Sequence, residues 1–319
     1  MHSRMAAEVR QPDHLVLKKK NNPWFETDIV WINVFLLGLA HLVALYALPR
    51  FVLFQVKWQT WIFSVILYYL STVGSNAGAH RLFSHRAFKA TLPLKVFLLA
   101  MGSLSFQPCA WSWARDHRVH HKHSDTMADP YSAGRGFFFA HHGWALLRRH
   151  PEVLAKYKTV DMSDLENDPY VMFQRRHQYK LILLFAVALP LITAVYGWNE
   201  TWLNSFLVPV TLRVVWCLNC TAMINSWSHH FGTKPYDKTI YPVQSSLVAH
   251  LALGEGWHNY HHAFPWDYKA SELGLQYNPM ATFIKACARL GLAYDLKEAS
   301  SDVIKARIAR TGDGTPPLA

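Results

Sequence analysis

The chain has 319 residues, of which 51% are apolar and only 17% are charged. Long uncharged stretches in such a composition argue against a soluble globular protein and favour an integral membrane protein with polar ends. The formal net charge of +11 agrees with a basic cytosolic face, and a few arginines remain as candidates for binding an anionic group. We predict no nucleic-acid partner, and four cysteines are too few for a disulfide framework.

The N-terminal segment, 1–28, is polar and basic, and it lacks the short apolar core of a cleaved signal peptide. A shorter apolar stretch, 92–107, contains Lys95 and is predicted to lie at the membrane interface. Four other segments have the length and composition of transmembrane helices, namely 30–49, 60–79, 181–198 and 202–224.

The distribution of charge predicts the topology. With four spans, the segments 1–28, 80–180 and 225–319 lie on one side of the membrane, and this side carries most of the arginines and lysines. The short loop with Arg50 and Lys57 lies on the other side. The positive-inside rule makes the larger side cytosolic. We therefore predict an all-α integral membrane protein with four transmembrane helices, both termini in the cytosol and a cytosolic helical cap.

Histidines form three tight groups in the predicted cap, each at or just beyond the end of an apolar segment. On a helix, residues i, i+3 and i+4 share one face, so the histidines of the second and third groups can converge. The two of the first group are five residues apart, about 140° on an ideal helix, so they could flank a metal only if the helix ends or bends between them or if the metal sits in a cleft. The groups are HRLFSH (His80, His85), HRVHH (His117, His120, His121) and HNYHH (His258, His261, His262), and NSWSHH adds His229.

These histidines predict a site for two metal ions, since eight or nine imidazoles exceed the ligands of one. Imidazole binds iron, copper, zinc and nickel, and the absence of cysteine beside the groups argues against structural zinc. Histidine-only ligation beside a bilayer suggests O2 activation against a lipid substrate. Four nearby carboxylates are candidates for orienting the rings: Asp116, Asp125, Asp129 and Glu255.

The segments HRLFSH, HRVHH and GEGWHNYHHAFPWDY together resemble the three histidine boxes of membrane acyl-CoA desaturases, in particular the animal Δ9 (stearoyl-CoA) type. The resemblance extends from 31–33 to 310–315, so we interpret 1–319 as a single fatty acid desaturase domain. It implies a cis double bond inserted into a saturated long-chain acyl-CoA, with O2 and with electrons from cytochrome b5 and its reductase. It also implies the endoplasmic reticulum membrane as the location.

The resemblance also implies the site residues. One iron ion would be held by His80, His85, His117, His121 and His261, and the other by His120, His229, His258 and His262, with Asn225 reaching it through water. Contacts to the CoA head group are implied for Asn33, Arg115, Asp116, Arg148 and Arg149, although Arg148 and Arg149 also fit a solvated basic face. Trp113 and Thr221 would bend the acyl tunnel around the reactive carbons.

Several departures from the family pattern leave the chain length and the double-bond position open, namely Pro108, Met127, Tyr131 and Ala222. A related desaturase or hydroxylase with another regiochemistry is therefore an alternative. A non-enzymatic membrane protein that transports or buffers metal is a more remote one, because only His41 and Arg213 are ionisable within the predicted spans. Ten of the nineteen histidines are not predicted as ligands. They include His41, His123 and His230, and also His141, His142 and His250, which we place near the site in sequence only.

Overall fold

The computed structural model describes residues 27–272 and 278–317, and this part of the chain is mostly helical. The predicted N-terminal segment 1–28 lies outside the described residues except for its last two. Two short strands, β1 (Lys89–Ala90) and β2 (Ala293–Tyr294), pair antiparallel. The described α-helices are α1 (Trp31–Val52), α2 (Trp58–Thr72), α3 (Leu92–Leu104), α4 (Ala110–His123), α5 (Trp144–Leu146), α6 (Pro151–Tyr157), α7 (Ser163–Glu166), α8 (Pro169–Ile182), α9 (Leu189–Trp198), α10 (Trp202–Ser205), α11 (Arg213–Ser226), α12 (Ser246–Leu251), α13 (His258–Ala263), α14 (Pro279–Arg289) and α15 (Ser301–Thr311). Wider π-helical turns extend or join several of them at Val73–Ser84, Phe139–Gly143, Leu183–Ala188 and Phe206–Leu212.

Within the described residues, three helical stretches are long and apolar enough to cross a membrane. They cover the first, third and fourth predicted spans, and large apolar side chains such as Phe35 and Leu42 are exposed on α1, as expected for a helix that faces lipid. The second predicted span, 60–79, is helical but is rich in serine, threonine and tyrosine and does not belong to this set. That it crosses the membrane stays a prediction. The three stretches are Trp31–Val52, Pro169–Trp198 and Trp202–His229.

The predicted interfacial stretch 92–107 forms α3, which has 13 residues and at about 1.5 Å per residue is too short to cross the roughly 30 Å hydrocarbon core. It packs directly on the π-helical segment Val73–Ser84. A Cβ atom on Gly74 would lie 2.1 Å from the backbone nitrogen of Gly102, so this approach requires glycine. The location of α3 at the membrane interface stays a prediction.

Apolar residues from distant parts of the chain fix the position of the Val73–Ser84 segment. Met280 and Ile284, on the buried face of α14, pack with Val73, Leu98 and Phe88 in one core cluster. α14 is thus amphipathic, with its apolar face packed into the core. This packing supports the segment that carries the first histidine group.

A buried arginine joins the membrane-spanning helices. The Arg213 guanidinium donates to the carbonyls of Leu104 at 2.6 Å, Ala186 at 2.9 Å and Pro209 at 3.0 Å, and to the Ser71 hydroxyl at 3.3 Å. Carbonyls near helix ends and π-helical turns lack ordinary partners, so this side chain satisfies them. The charge in the span therefore links helices and does not line an open polar path.

Candidate metal centre and substrate cavity

The elements that carry the histidine groups converge on one site. α4 supplies the second group and α13 the third, in each case from one helix face, as the i, i+3, i+4 spacing predicts. His229 ends the short turn that follows α11. Segments far apart in sequence are thus brought together by the packing of the helices.

The first group reaches the site because its helix is π-helical. The backbone N–H of His85 donates to the carbonyl of His80 at 3.1 Å, which is the i→i+5 bond of a π-helical turn. Residues five apart then lie on the same face, and the two ring centroids are 4.9 Å apart. The helix therefore brings His80 and His85 to one site by a wider, π-helical turn.

Nine histidines form two groups, and within each group the ligand nitrogens all lie within 4.8 Å of one another. In the first group the Nε2 atoms of His80 and His261 are 2.9 Å apart, as are those of His121 and His261. In the second, Nε2 of His258 lies 3.1 Å from that of His229. The groups have the same members as the division predicted above: His80, His85, His117, His121 and His261, then His120, His229, His258 and His262.

Carboxylates contact the Nδ1 atoms of three of the rings. Nδ1 of His80 lies 2.9 Å from Glu255, that of His120 2.9 Å from Asp129, and that of His229 3.0 Å from Asp125. A carboxylate on Nδ1 keeps the proton there and leaves the Nε2 lone pair for a metal ion. Three of the four predicted carboxylates therefore orient rings. Asp116, the fourth, instead contacts two arginines.

The electrostatics of the site also suit metal ligation. Burial, assisted by neighbouring rings, lowers the pKa of most of the histidines, so they are neutral and free to ligate. Burial alone would raise the pKa of Glu255, but Arg81 and His80 lower it to about 2. Burial is likewise outweighed at Asp125, where the hydrogen bond from His229 lowers the carboxyl pKa to about 2. The histidines of the two groups whose pKa is lowered well below its usual value are His85, His117, His121, His258, His261 and His262. At His120 burial is outweighed by the neighbouring Asp129 carboxylate, which raises the pKa.

The D129N variant is expected to bind iron about 10- to 100-fold more weakly than the wild type, a typical effect of losing a partner behind a metal-bound histidine. Asp129 accepts from His120 and from the backbone of Asp125 and Tyr131, and an amide cannot accept with both of its side-chain atoms. Iron per chain in purified protein measures the effect. D161N is the matched control, since Asp161 is exposed and its carboxylate lies 3.8 Å from Arg86. Equal iron content in the two variants would contradict the assigned role.

A cavity runs along the two histidine groups. His80, His117, His120 and His258 line it, and so does Asn225 on α11. The structure therefore places Asn225 beside the second group, and its contact through water stays a prediction. The cavity is also lined by both predicted tunnel residues, Trp113 and Thr221. Three of the departures from the family pattern line it as well, namely Pro108, Tyr131 and Ala222.

At the cavity wall, hydrogen bonds join the two predicted bend residues, Trp113 and Thr221, through a glutamine. The Trp113 indole N–H donates to the Gln107 amide oxygen at 2.9 Å, and the Gln107 amide donates to the Thr221 hydroxyl at 3.0 Å. These two hydrogen bonds hold α4 and α11 at a fixed separation. The sequence analysis did not identify Gln107, because its role depends on partners from two other elements.

The predicted head-group residues surround one carboxylate. Asp116 accepts from Arg115 at 2.8 Å and from Arg149 at 2.7 Å, and it lines the cavity. Asn33 lies apart from this pair and donates to the carbonyl of Ala145 at 2.8 Å. The Arg148 side chain is exposed. Binding of a head group by these residues stays a prediction.

The prediction that His141 and His142 lie near the site only in sequence is wrong, because both line the cavity. Each ring approaches the Asn219 amide oxygen, at 3.3 Å and 3.2 Å respectively, and the Asn219 amide nitrogen lies 3.0 Å from Nε2 of His41. His41 also bonds the carbonyl of Leu37 at 2.8 Å. This network links α1, α11 and the 139–143 segment. No sequence signal predicts it, since its members are dispersed.

The fold and the site define a helical membrane protein with two histidine groups, each of which could hold a metal ion, beside an internal cavity. The sequence model of the family described as fatty acid desaturase matches residues 56–286. Stearoyl-CoA desaturase of Homo sapiens is 48% identical over 297 residues, which cover 93% of this chain and 82% of that protein. Acyl-CoA Delta-9 desaturase of Acheta domesticus is 49% identical over 310 residues (97% and 85%), and acyl-CoA Delta(11) desaturase of Trichoplusia ni is 49% identical over 288 residues (90% and 82%). The chain belongs to the fatty acid desaturase family, which confirms the resemblance.

Proposed function

We propose that this chain is an acyl-CoA Δ9 desaturase, which inserts a cis double bond into a saturated long-chain acyl-CoA. The observation that carries the proposal is the placement of both histidine groups at the wall of one largely apolar cavity. Family membership supports the acyl-CoA desaturase activity. The Δ9 position rests on the pattern of the three histidine boxes, and similar relatives are named for other positions.

The proposal includes a topology and a location. The chain is a single desaturase domain that crosses the endoplasmic reticulum membrane four times, with both termini in the cytosol. The helical continuity of 58–84 supports the additional crossing. The segments 80–180 and 225–319 form the cytosolic cap, and their arginines and lysines agree with that side.

Two iron ions are the proposed cofactors, and the residues fit them. Imidazoles are good ligands for iron, and carboxylates that contact Nδ1 of three of them hold Nε2 toward the site. When bound, the irons supply the O2-dependent oxidation of two adjacent methylene groups. Overall, O2, two electrons and two protons combine with the two hydrogens removed from the chain, giving two water molecules and one double bond. The proposed electron source is cytochrome b5 with its reductase.

The residues of the cavity position the substrate. The Trp113–Gln107–Thr221 chain of hydrogen bonds fixes one wall, so it helps to determine which carbons lie beside the histidine groups. At Asp116, the guanidinium groups of Arg115 and Arg149 are held by a carboxylate. Arginines oriented in this way suit the phosphates of CoA, which accept charge-assisted hydrogen bonds.

The T221V variant is expected to produce a broader mixture of double-bond positions than the wild type. Valine keeps the shape of threonine but removes the acceptor for Gln107. Loss of a hydrogen bond of about 1 kcal/mol changes the ratio of competing products about fivefold. Double-bond mapping of the products measures this ratio. T193V is the control, since Thr193 lies in α9 and does not line the cavity; the same mixture from both variants would contradict the role of the Gln107–Thr221 bond.

Expression in a desaturase-deficient eukaryotic cell tests the proposed function. Saturated acids of 16 and 18 carbons are supplied, and the position and geometry of new double bonds are mapped against an empty-vector control. A cis bond at carbon 9 is the expected result. A bond or hydroxyl group at another carbon would overturn the Δ9 assignment in favour of the alternative regiochemistry. Absence of any oxidised product, with intact protein in the membrane, would contradict the desaturase proposal itself.

A further inference from the structure

The histidine cluster has an inner and an outer edge. Four of its nine rings line the cavity and are directed toward the substrate space. Three others, His85, His121 and His262, are only half-buried and do not line that cavity. These three form the outer edge, whose rings are partly exposed to solvent and are not part of the cavity lining.

The outer edge joins the two metal positions. The ring of His121, from the first group, stacks on that of His262, from the second, with centroids 4.1 Å apart and an interplanar angle of 13°. His85 extends the edge, with its centroid 4.5 Å from that of His121. An electron that arrives here has a short route to either metal position.

Basic residues follow the outer edge. Arg86 comes directly after His85, and Lys122 directly after His121. The ammonium group of the exposed Lys297 donates to the Arg86 carbonyl at 2.8 Å, so it lies beside the same segment. Among residues 27–272 and 278–317, neither lysine forms an ion pair with an acid. Their positive charges are therefore available to a partner.

The acids closest to Arg86 are already paired. Asp164 accepts from Arg86 at 2.8 Å and also from Arg118 at 2.8 Å. Asp161 lies 3.8 Å from Arg86. Lys156, on α6, adds a further positive charge on the element that packs against α4. Among the described residues around the outer edge, Asp161 and Asp164 are balanced by Arg86 and Arg118, and Lys122, Lys156 and Lys297 remain without an ion pair.

We propose that an acidic one-electron carrier docks on this outer edge and on its basic rim, which consists of Lys122 and Lys297 beside the paired Arg86. The inference rests on the proposed function, since the reaction takes up two electrons while the acyl chain occupies the cavity side. Electrons enter through the stacked pair His121–His262. A positive rim attracts an acidic partner and orients it, which raises the association rate and makes it sensitive to salt.

A charge-reversal experiment tests the docking surface. Iron-loaded protein in nanodiscs is titrated with the soluble haem domain of cytochrome b5, an acidic carrier, at low and at physiological ionic strength. K122E and K297E are each expected to weaken binding about tenfold at low salt, with a smaller loss at higher salt. The rate of haem oxidation with stearoyl-CoA present is expected to fall in parallel. K285E is the matched control, since Lys285 is exposed on α14, and iron content and melting temperature verify that every variant is folded.

The outcomes separate this inference from the proposed function. Binding and haem oxidation that are the same in K122E, K297E and K285E would overturn the docking surface. Single-turnover desaturation by dithionite-reduced enzyme does not need the carrier and is expected to survive in all three variants. If the wild type makes no product under these conditions, the proposed function fails, whereas the binding titration still decides whether the rim recognises an acidic carrier.

Discussion

Replacing His261 with alanine is expected to abolish double-bond formation. The His261 ring is buried, and its Nε2 atom lies 2.9 Å from those of both His80 and His121. Its removal therefore takes a nitrogen from the centre of the five-histidine group. Loss of a hydrogen-bonding partner of a metal-ligating histidine lowers metal affinity or activity about 10- to 100-fold. Loss of the ligand itself is therefore expected to lower product formation by at least about 100-fold.

Expression in the desaturase-deficient cell, followed by double-bond mapping, measures this effect, and a variant of another histidine is the control. His250 is exposed, and its Nδ1 bonds the carbonyl of Ser246 one turn earlier in α12 at 2.7 Å. H250A is therefore expected to give the wild-type product profile and about the wild-type iron content. Identical profiles from H261A and the wild type, with both proteins intact in the membrane, would contradict a role for the histidine groups in the reaction.

Spacing within a helix was sufficient to predict which histidines share a face. The i, i+3, i+4 pattern of His117, His120 and His121 is a local property, and the structure shows these residues directed at one site. The separation of His80 and His85 did not reveal their arrangement, because the π-helical turn is set by packing. The close approach of Gly74 to Gly102 is part of that packing. The role of these histidines as iron ligands stays a prediction.

Long-range partners were less accessible to sequence reasoning. The carboxylates near the boxes were recognised by proximity in sequence, but Asp125 contacts His229, which lies 104 positions away, and Asp116 contacts arginines. His141 and His142 were misplaced for the same reason, since their link to Asn219 exists only once α11 packs against the 139–143 segment. The membrane crossing by 60–79 is also not settled by apolar composition. A helix that is buried in a bundle needs less apolar sequence than one that faces lipid.

Replacing Glu255 with alanine is expected to be the most destabilising single change near the site. The buried carboxylate accepts from Nδ1 of His80 at 2.9 Å and from the guanidinium of Arg81 at 2.6 Å. Arg81 is also fully buried, and its other strong bond is to the carbonyl of Tyr268 at 2.9 Å. Without Glu255 a positive charge stays in the interior without its counter-ion, which costs about 3–5 kcal/mol.

Thermal unfolding in detergent measures this loss, and a double variant separates charge from ligand orientation. R81M/E255L replaces the buried ion pair with apolar side chains and is expected to recover most of the stability lost in E255A, since such replacements are often neutral. Iron content and activity are expected to stay low in the double variant, because the His80 ring still lacks its carboxylate. Stability and iron binding restored together would show that Glu255 only neutralises Arg81. A melting temperature of E255A equal to that of the wild type would show that the ion pair contributes little to the fold.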